Sequence, residues 1–239
     1  MSTVATEITA STSENAATIF DLAVMPLREV NQALHAEGLS GEFVIDNPFG
    51  AHNVAVGIDA PVKVTINGHL GYFAAGMNKQ AEVTINGNAG QGLAENQMSG
   101  VVHVTGSASQ SAGATGRGGL LIIDGDAGAR CGISLKGLDI VVGGSIGHMS
   151  AFMAQRGRLV VRGDAGDTLG DSLYEARIYV RGTVKSLGAD CVEKEMRAEH
   201  LEELAGLLKA AGYEDDDPAS YQRYGSARTL YHFHADNTY

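Results

Sequence analysis

The sequence predicts a mainly β protein: a right-handed parallel β-helix of about eight coils, with flanking helices and a C-terminal arm. Three observations carry that expectation. First, seven segments recur every 19 residues with no insertion or deletion: VTING (64–68), VTING (83–87), VHVTG (102–106), LIIDG (121–125), IVVGG (140–144), LVVRG (159–163) and IYVRG (178–182). Their closing glycines are Gly68, Gly87, Gly106, Gly125, Gly144, Gly163 and Gly182. A period that strict makes each repeat one coil stacked on the last. Second, the residues four and two places before each glycine are aliphatic in every copy, from Val64 and Ile66 to Ile178 and Val180. That is the alternation of a strand with one buried face. Third, seven residues after the glycine the column reads Ala75, Ala94, Gly113, Gly132, Ala151, Gly170 and Ala189. Nothing larger than a methyl group stands there, so the backbone is expected to turn into a crowded interior.

The coil follows from these columns. Nineteen residues have a contour of at most ~60 Å, enough to wrap a narrow core. Stacked coils would lie about 4.8 Å apart in parallel register, and parallel crossovers are overwhelmingly right-handed. The 14 inward aliphatic side chains would contribute roughly 1.5–3 kcal/mol each on burial, most of it offset by conformational entropy. Hexapeptide helices and leucine-rich repeats need other spacings, and neither pattern is present. Gly71, Gly90, Gly128, Gly147 and Gly166, three residues after the closing glycine, are read as sites of a tight bend.

Three regions are expected. Residues 1–40 form a tail and a helix, started by Pro26, striped by Leu27, Val30 and Leu34 and ended by Gly38. Residues 41–190 form the β-helix, whose first coil (41–63) is irregular and about two residues longer than the others. In 191–239, Val192, Met196, Leu201, Leu204, Leu208 and Ala211 follow helical spacing up to Gly212, a helix placed to cap the last coil. After the acidic run 214–217, Tyr221 to Tyr239 reads as an irregular aromatic arm packed on this chain or on a partner.

Composition excludes several classes. Of 239 residues, 32 are glycine and 19% are charged, with a formal charge of −11. Residues 1–40 carry −4, 41–190 carry −2 and 191–239 carry −5, so the acid sits at the ends. Such a balance argues against nucleic-acid and anionic-membrane partners. No apolar run suffices for a membrane helix, and the N-terminus lacks the basic start and apolar core of a secretion signal. With two cysteines, Cys131 and Cys191, in no metal or redox spacing, a reducing cytoplasm is expected.

Candidates for chemistry are few. The outward column runs Thr65, Thr84, His103, Ile122, Val141, Val160, Tyr179. Its apolar half needs a cover, either one of this chain's helices or another subunit. Arg158, Arg162, Arg177 and Arg181 fall at equivalent places on two successive coils. They form a positive square suited to an acidic partner, an anion or the chain's own acidic tail, with Asp139 in register to offset Arg158. His232 and His234 have no third metal ligand nearby. Cys131 shares a column with Ala74, Leu93 and Ala112 and reads as core; Cys191 is read as opening a helix. No glycine precedes a GK[ST] or a helix start, and no nucleophile or paired-carboxylate motif is present. No catalytic, cofactor or metal residue is expected on this chain.

The glycine-centred coils, as in NGHLGYFAAG (67–76), GDAGARCG (125–132) and GGSIGHMSAF (143–152), resemble the GXGXG domain that closes the large subunit of glutamate synthase. The likeness spans about residues 41–190 and extends to the β-helix component of formylmethanofuran dehydrogenase. The flanks FDLAVMPLREVNQALHAEG (20–38) and YGSARTLYHFHADN (224–237) look like those of the β-helix component of N-methylglutamate synthase, also called methylamine–glutamate N-methyltransferase. In glutamate synthase the amidotransferase, FMN-binding and β-helix parts share one polypeptide, whereas here the β-helix stands without the other two. The resemblance therefore implies a hetero-oligomer in which separate subunits supply an amidotransferase-like part and an FMN-binding part, the latter with an iron–sulfur cluster as a further candidate. It implies the reaction methylamine plus L-glutamate to N-methyl-L-glutamate plus ammonia, with this chain as scaffold and as a wall for an ammonia or methylamine passage. It carries over no catalytic residue. A formylmethanofuran dehydrogenase component and a free-standing polysaccharide-binding β-helix stay open as alternatives.

Overall fold

The computed structural model describes residues 17–230, and the chain folds as a parallel β-helix. In chain order the elements are β1 (Thr18–Asp21), α1 (Leu27–Ala33), β2 (Glu42–Asp46), β3 (Lys63–Asn67), β4 (Glu82–Asn86), β5 (Val101–Val104), β6 (Leu120–Ile123), β7 (Lys136–Val142), β8 (Arg156–Val161), β9 (Arg177–Val180), β10 (Cys191–Lys194), α2 (Ala198–Ala210) and β11 (Gln222–Ser226). Strands β2 to β9 lie side by side in parallel, one per coil, so eight strands delimit seven full turns. From β3 to β9 the register advances by 19, as in Val64↔Val83 and Leu159↔Ile178. Between β2 and β3 it advances by 21, as in Phe43↔Val64, which accounts for the longer first coil. All 14 inward aliphatic residues are at most 1% exposed.

A second wall stands two residues past each closing glycine. There Leu70, Ala89, Ala108, Ala127, Ile146, Ala165 and Val184 make successive single-residue parallel bridges. Between the walls runs the closing-glycine column, and its spacing explains the residue type. The amide of Gly163 donates to Gly144 O at 2.9 Å, and the amide of Gly182 donates to Gly163 O at 3.1 Å. A Cβ on Gly163 would lie 2.7 Å from Gly144 C. The glycines at Gly71, Gly90, Gly128, Gly147 and Gly166 have the same cause: none has a positive φ, and a Cβ on Gly90 would meet the Gly71 carbonyl carbon at 2.6 Å. They are close approaches between coils, not the bend expected from sequence.

The bend is made elsewhere, by three alternate left-handed residues per coil. Met149 (φ 55°), Ala151 (φ 55°) and Met153 (φ 53°) are one such set, and equivalent triplets begin at Asn53, Phe73, Gly92, Ser111, Arg130 and Thr168. A left-handed side-chain-bearing residue costs roughly 1–2 kcal/mol. Hydrogen bonds to neighbouring coils offset it: Met149 N–H to Asp167 O at 2.8 Å, Ala151 N–H to Cys131 O at 2.8 Å, and Met153 N–H to Asp171 O at 2.9 Å. The middle residue points inward, which is why its column is restricted to Ala and Gly. Ala151, 1% exposed, is thus doubly constrained. Ala151→Phe is expected to cost about 3 kcal/mol through overpacking and lower the melting temperature by roughly 6–12 °C. An unchanged thermal transition would count against this role.

The flanks belong to the same sheet. β1 pairs with β2 in parallel, with Phe20 stacked on Phe43 at 6.0 Å, an element that the reading of 1–40 as tail and helix does not contain. Pro26 caps α1, whose Val30 and the following Leu34 are buried. At the other end β11 lies antiparallel to β9 and to β10, between them. The segment read as an irregular arm is therefore partly a strand, and it closes the sheet edge that a bare last coil would expose. Cys191 opens β10, not a helix, and α2 begins at Ala198. Gly212 (φ 81°) ends α2: its N–H donates to Lys209 O at 3.1 Å and the Tyr213 N–H to Leu208 O at 2.8 Å. No helix of the described residues is long and apolar enough to cross a membrane.

Candidate functional site

The apolar half of the outward column is covered by the chain itself. Ile122, Val141, Val160 and Tyr179, at most 5% exposed, pack with Leu204, Leu207, Leu208 and Ala211 of α2 and with Tyr221. The helix expected to sit over the last coil lies instead against the outer face of the sheet. There it buries the four stacked apolar side chains that would otherwise face solvent.

The four arginines meet the same C-terminal segment. Arg158 donates from Nε to Asp139 at 2.6 Å and from Nη1 to Glu203 of α2 at 3.0 Å; its Nη2 also contacts Asp139. Arg177 donates to Glu203 at 2.6 Å, and Tyr179 Oη donates to the other Glu203 oxygen at 2.6 Å. One coil-edge away, Asp216 accepts from Arg162 Nε at 2.7 Å and Nη2 at 2.9 Å, from Arg181 Nη1 at 3.0 Å and from Tyr221 Oη at 2.8 Å. Arg162 also lies 4.0 Å above the Tyr213 ring. The partners of this square are the chain's own acids: Glu203 and Asp216 each bridge two arginines. The hydrogen bond from Arg162 holds the Asp216 carboxyl down at about 2, although burial works against it. For Glu203 burial raises the pKa, but the hydrogen bonds from Tyr179, Arg158 and Arg177 outweigh it and the net shift is downward. Burial first, then the Glu203 contact, raises the Tyr179 phenol. These perturbed groups are bound to one another, and the arrangement acts as an electrostatic clasp for α2.

Neither cysteine is poised to react. Cys131 is fully buried in the column it shares with Ala74, Leu93 and Ala112, Cys191 is nearly so, and burial pushes both thiols up to about 12. Among the described residues no group of three or more His, Cys, Asp and Glu side chains is placed to hold a metal. His232 and His234 lie outside the described residues.

Two features emerge only in three dimensions. One is a polar ladder directly after the closing glycines. His69 Nδ1 accepts the Asn88 N–H at 2.9 Å, Asn88 Oδ1 accepts the Ser107 N–H at 2.9 Å, and Ser107, Asp126, Ser145 and Asp164 continue the series to the Thr183 N–H at 2.7 Å. Its signal in the sequence is a column of short acceptors, but their types differ from coil to coil. The other is an exposed aromatic patch on the early coils. Phe49, Tyr72, Phe73 and Met77 are 41–80% exposed. His52 stacks on Tyr72 at 4.5 Å, and Tyr72 meets Phe73 edge-on at 6.4 Å. Phe73 and Met77 stand at left-handed positions, which turn their side chains away from the core. Clustered aromatic exposure of this kind marks protein contact surfaces.

Together these observations define a parallel β-helix protein that seals part of one wall with its own C-terminal segment and leaves an aromatic patch on another. No protein-family model matches the chain. It is 62% identical over 224 residues to Protein GlxC of Rhizobium meliloti (strain 1021), an alignment that covers 92% of this chain and 97% of that protein. The chain belongs to the GlxC family.

Proposed function

We propose that this chain is the non-catalytic β-helix subunit of a glutamate-synthase-related complex, and more specifically of an N-methylglutamate synthase. It holds an amidotransferase-like subunit and an FMN-binding subunit in register, in the cytoplasm. The observation that carries this reading is the parallel β-helix wound from 19-residue, glycine-centred coils, the pattern that resembles the closing domain of glutamate synthase. Two further features support the reading. The shifted acids and phenols at the α2 contact are engaged with one another in the clasp. The aromatic patch supplies a surface that a partner would bury.

Co-expression with the two partner subunits is the test. The three-chain assembly should form N-methyl-L-glutamate from methylamine and L-glutamate, detected by mass spectrometry, with this chain present in stoichiometric amount. Alone, the chain should give no product and no flavin absorbance. Turnover by the isolated chain, or full activity of the partners without it, would overturn the scaffold role.

A further inference from the structure

A cavity of about 700 Å³ opens where β8, the start of β9, β10, β11 and the start of α2 converge. Seven of its sixteen lining residues are Arg or Lys and two are Glu, an excess of five positive charges. The whole chain has only 17 basic residues and a charge of −11, so this concentration runs against its overall balance.

Some of that charge is already met. Arg158 and Arg177 engage Asp139 and Glu203, while Arg197 reaches Glu195 at 3.2 Å. Three other basic residues are not. Among the described residues, no carboxylate lies within ion-pairing distance of Arg156, Lys194 or Arg223. Arg223 donates from Nε and Nη2 to the neutral carbonyl of Glu195, at 3.0 and 2.8 Å. The start of α2 adds to the same wall. Arg197 stands at its N-cap and has no acceptor atom, so the first-turn amides receive no side-chain cap. His200 Nδ1 instead accepts the Arg197 N–H at 3.2 Å, so the helix start carries no carboxylate of its own at that position. Burial, then Arg223, lowers the pKa of His200.

We infer that this cavity binds a small organic or inorganic polyanion carrying two or more carboxylate or phosphate groups. Its volume lies within the ~300–1,000 Å³ typical of small-ligand sites. Guanidinium forks match both carboxylate and phosphate, and a helix N-terminus favours either. Arg156 and Arg223 are the principal contacts, facing the ligand from β8 and β11, with Lys194 beside them. The inference does not depend on which reaction the complex performs.

Isothermal titration calorimetry of the full-length chain at low ionic strength tests it, with citrate and L-glutamate as carboxylate probes and pyrophosphate as the phosphate probe. At least one should bind saturably at 1:1, and the arm that does so names the anion class. Arg156→Gln and Arg223→Gln should each weaken binding about tenfold, while Lys79→Gln, on a distant coil, should change it by less than about twofold. Arg156→Gln should keep the parent's melting temperature, which separates ligand loss from misfolding. Absence of saturable binding by all three probes would overturn the proposal. So would equal binding by Arg156→Gln and the parent, or binding only of an acidic peptide.

Discussion

Gly163→Ala is expected to destabilise the chain by about 3–5 kcal/mol, a severe loss for a single methyl group. The added Cβ would lie 2.6 Å from Ser145 Oγ and 2.7 Å from both C and O of Gly144. Two of these atoms are backbone of the coil below, so no rotamer change relieves the contact. The coils must part locally, which lengthens the 2.9 Å bond from Gly163 N–H to Gly144 O and the 3.0 Å bond from Asp164 N–H to Ser145 Oγ. Thermal unfolding should then begin at least ~6 °C earlier than in the parent. Gly206→Ala supplies the contrast. That glycine lies on the exposed side of α2 with nothing within 4 Å of an added Cβ, so the change should stabilise by about 0.5–1 kcal/mol. Equal behaviour of the two variants would show that coil spacing does not select glycine.

The second large effect concerns the clasp. Glu203→Gln combined with Asp216→Asn should release α2 from the sheet, at a cost of about 3–5 kcal/mol. Arg162, Arg177 and Arg181 would lose their carboxylates at once, and Arg158 would keep only Asp139. Arg162, with its side chain 23% exposed, would be left partly desolvated. Ile122, Val141, Val160 and Tyr179 would become accessible. Amide exchange confined to α2 and β11, together with binding of a hydrophobic dye, should report the release, while the coils 64–142 stay protected. Acid should mimic it. Asp216 has a folded pKa of about 2 against an ordinary 3.8. Its contribution is fully present above about pH 4 and is lost as the pH falls towards 2. If the double variant kept native exchange rates in α2, apolar packing alone would be holding the helix.

Legibility in the sequence follows the repeat. The two inward columns, the small column and the longer first coil are all readable, because each position occurs in several copies under one constraint. The glycine columns are equally visible, but for one of them the sequence suggests the wrong cause. A bend and a close approach both demand glycine, and only the φ angles and interatomic distances separate them. The left-handed triplets are hidden for the opposite reason. Phe73, Arg130 and Met149 occupy equivalent left-handed sites, and such chemically unlike residues leave no pattern. The arginine square is visible as spacing, but its partners Glu203 and Asp216 lie 26–54 residues away in sequence. The cationic cavity is invisible altogether, since its walls come from five segments joined only in space.

The winding of this protein follows from its residue pattern: a 19-residue period with constant aliphatic and small positions admits one way of stacking, because each coil buries the same groups against the last. The placement of the non-repeating ends is set by long-range packing. Helix α2 could have covered the end of the cylinder or its side, and the apolar column Ile122–Val141–Val160–Tyr179, bordered by arginines matched to Glu203 and Asp216, drew it to the side. Strand β11 then took the exposed edge of β9, where unpaired backbone groups would otherwise have faced solvent.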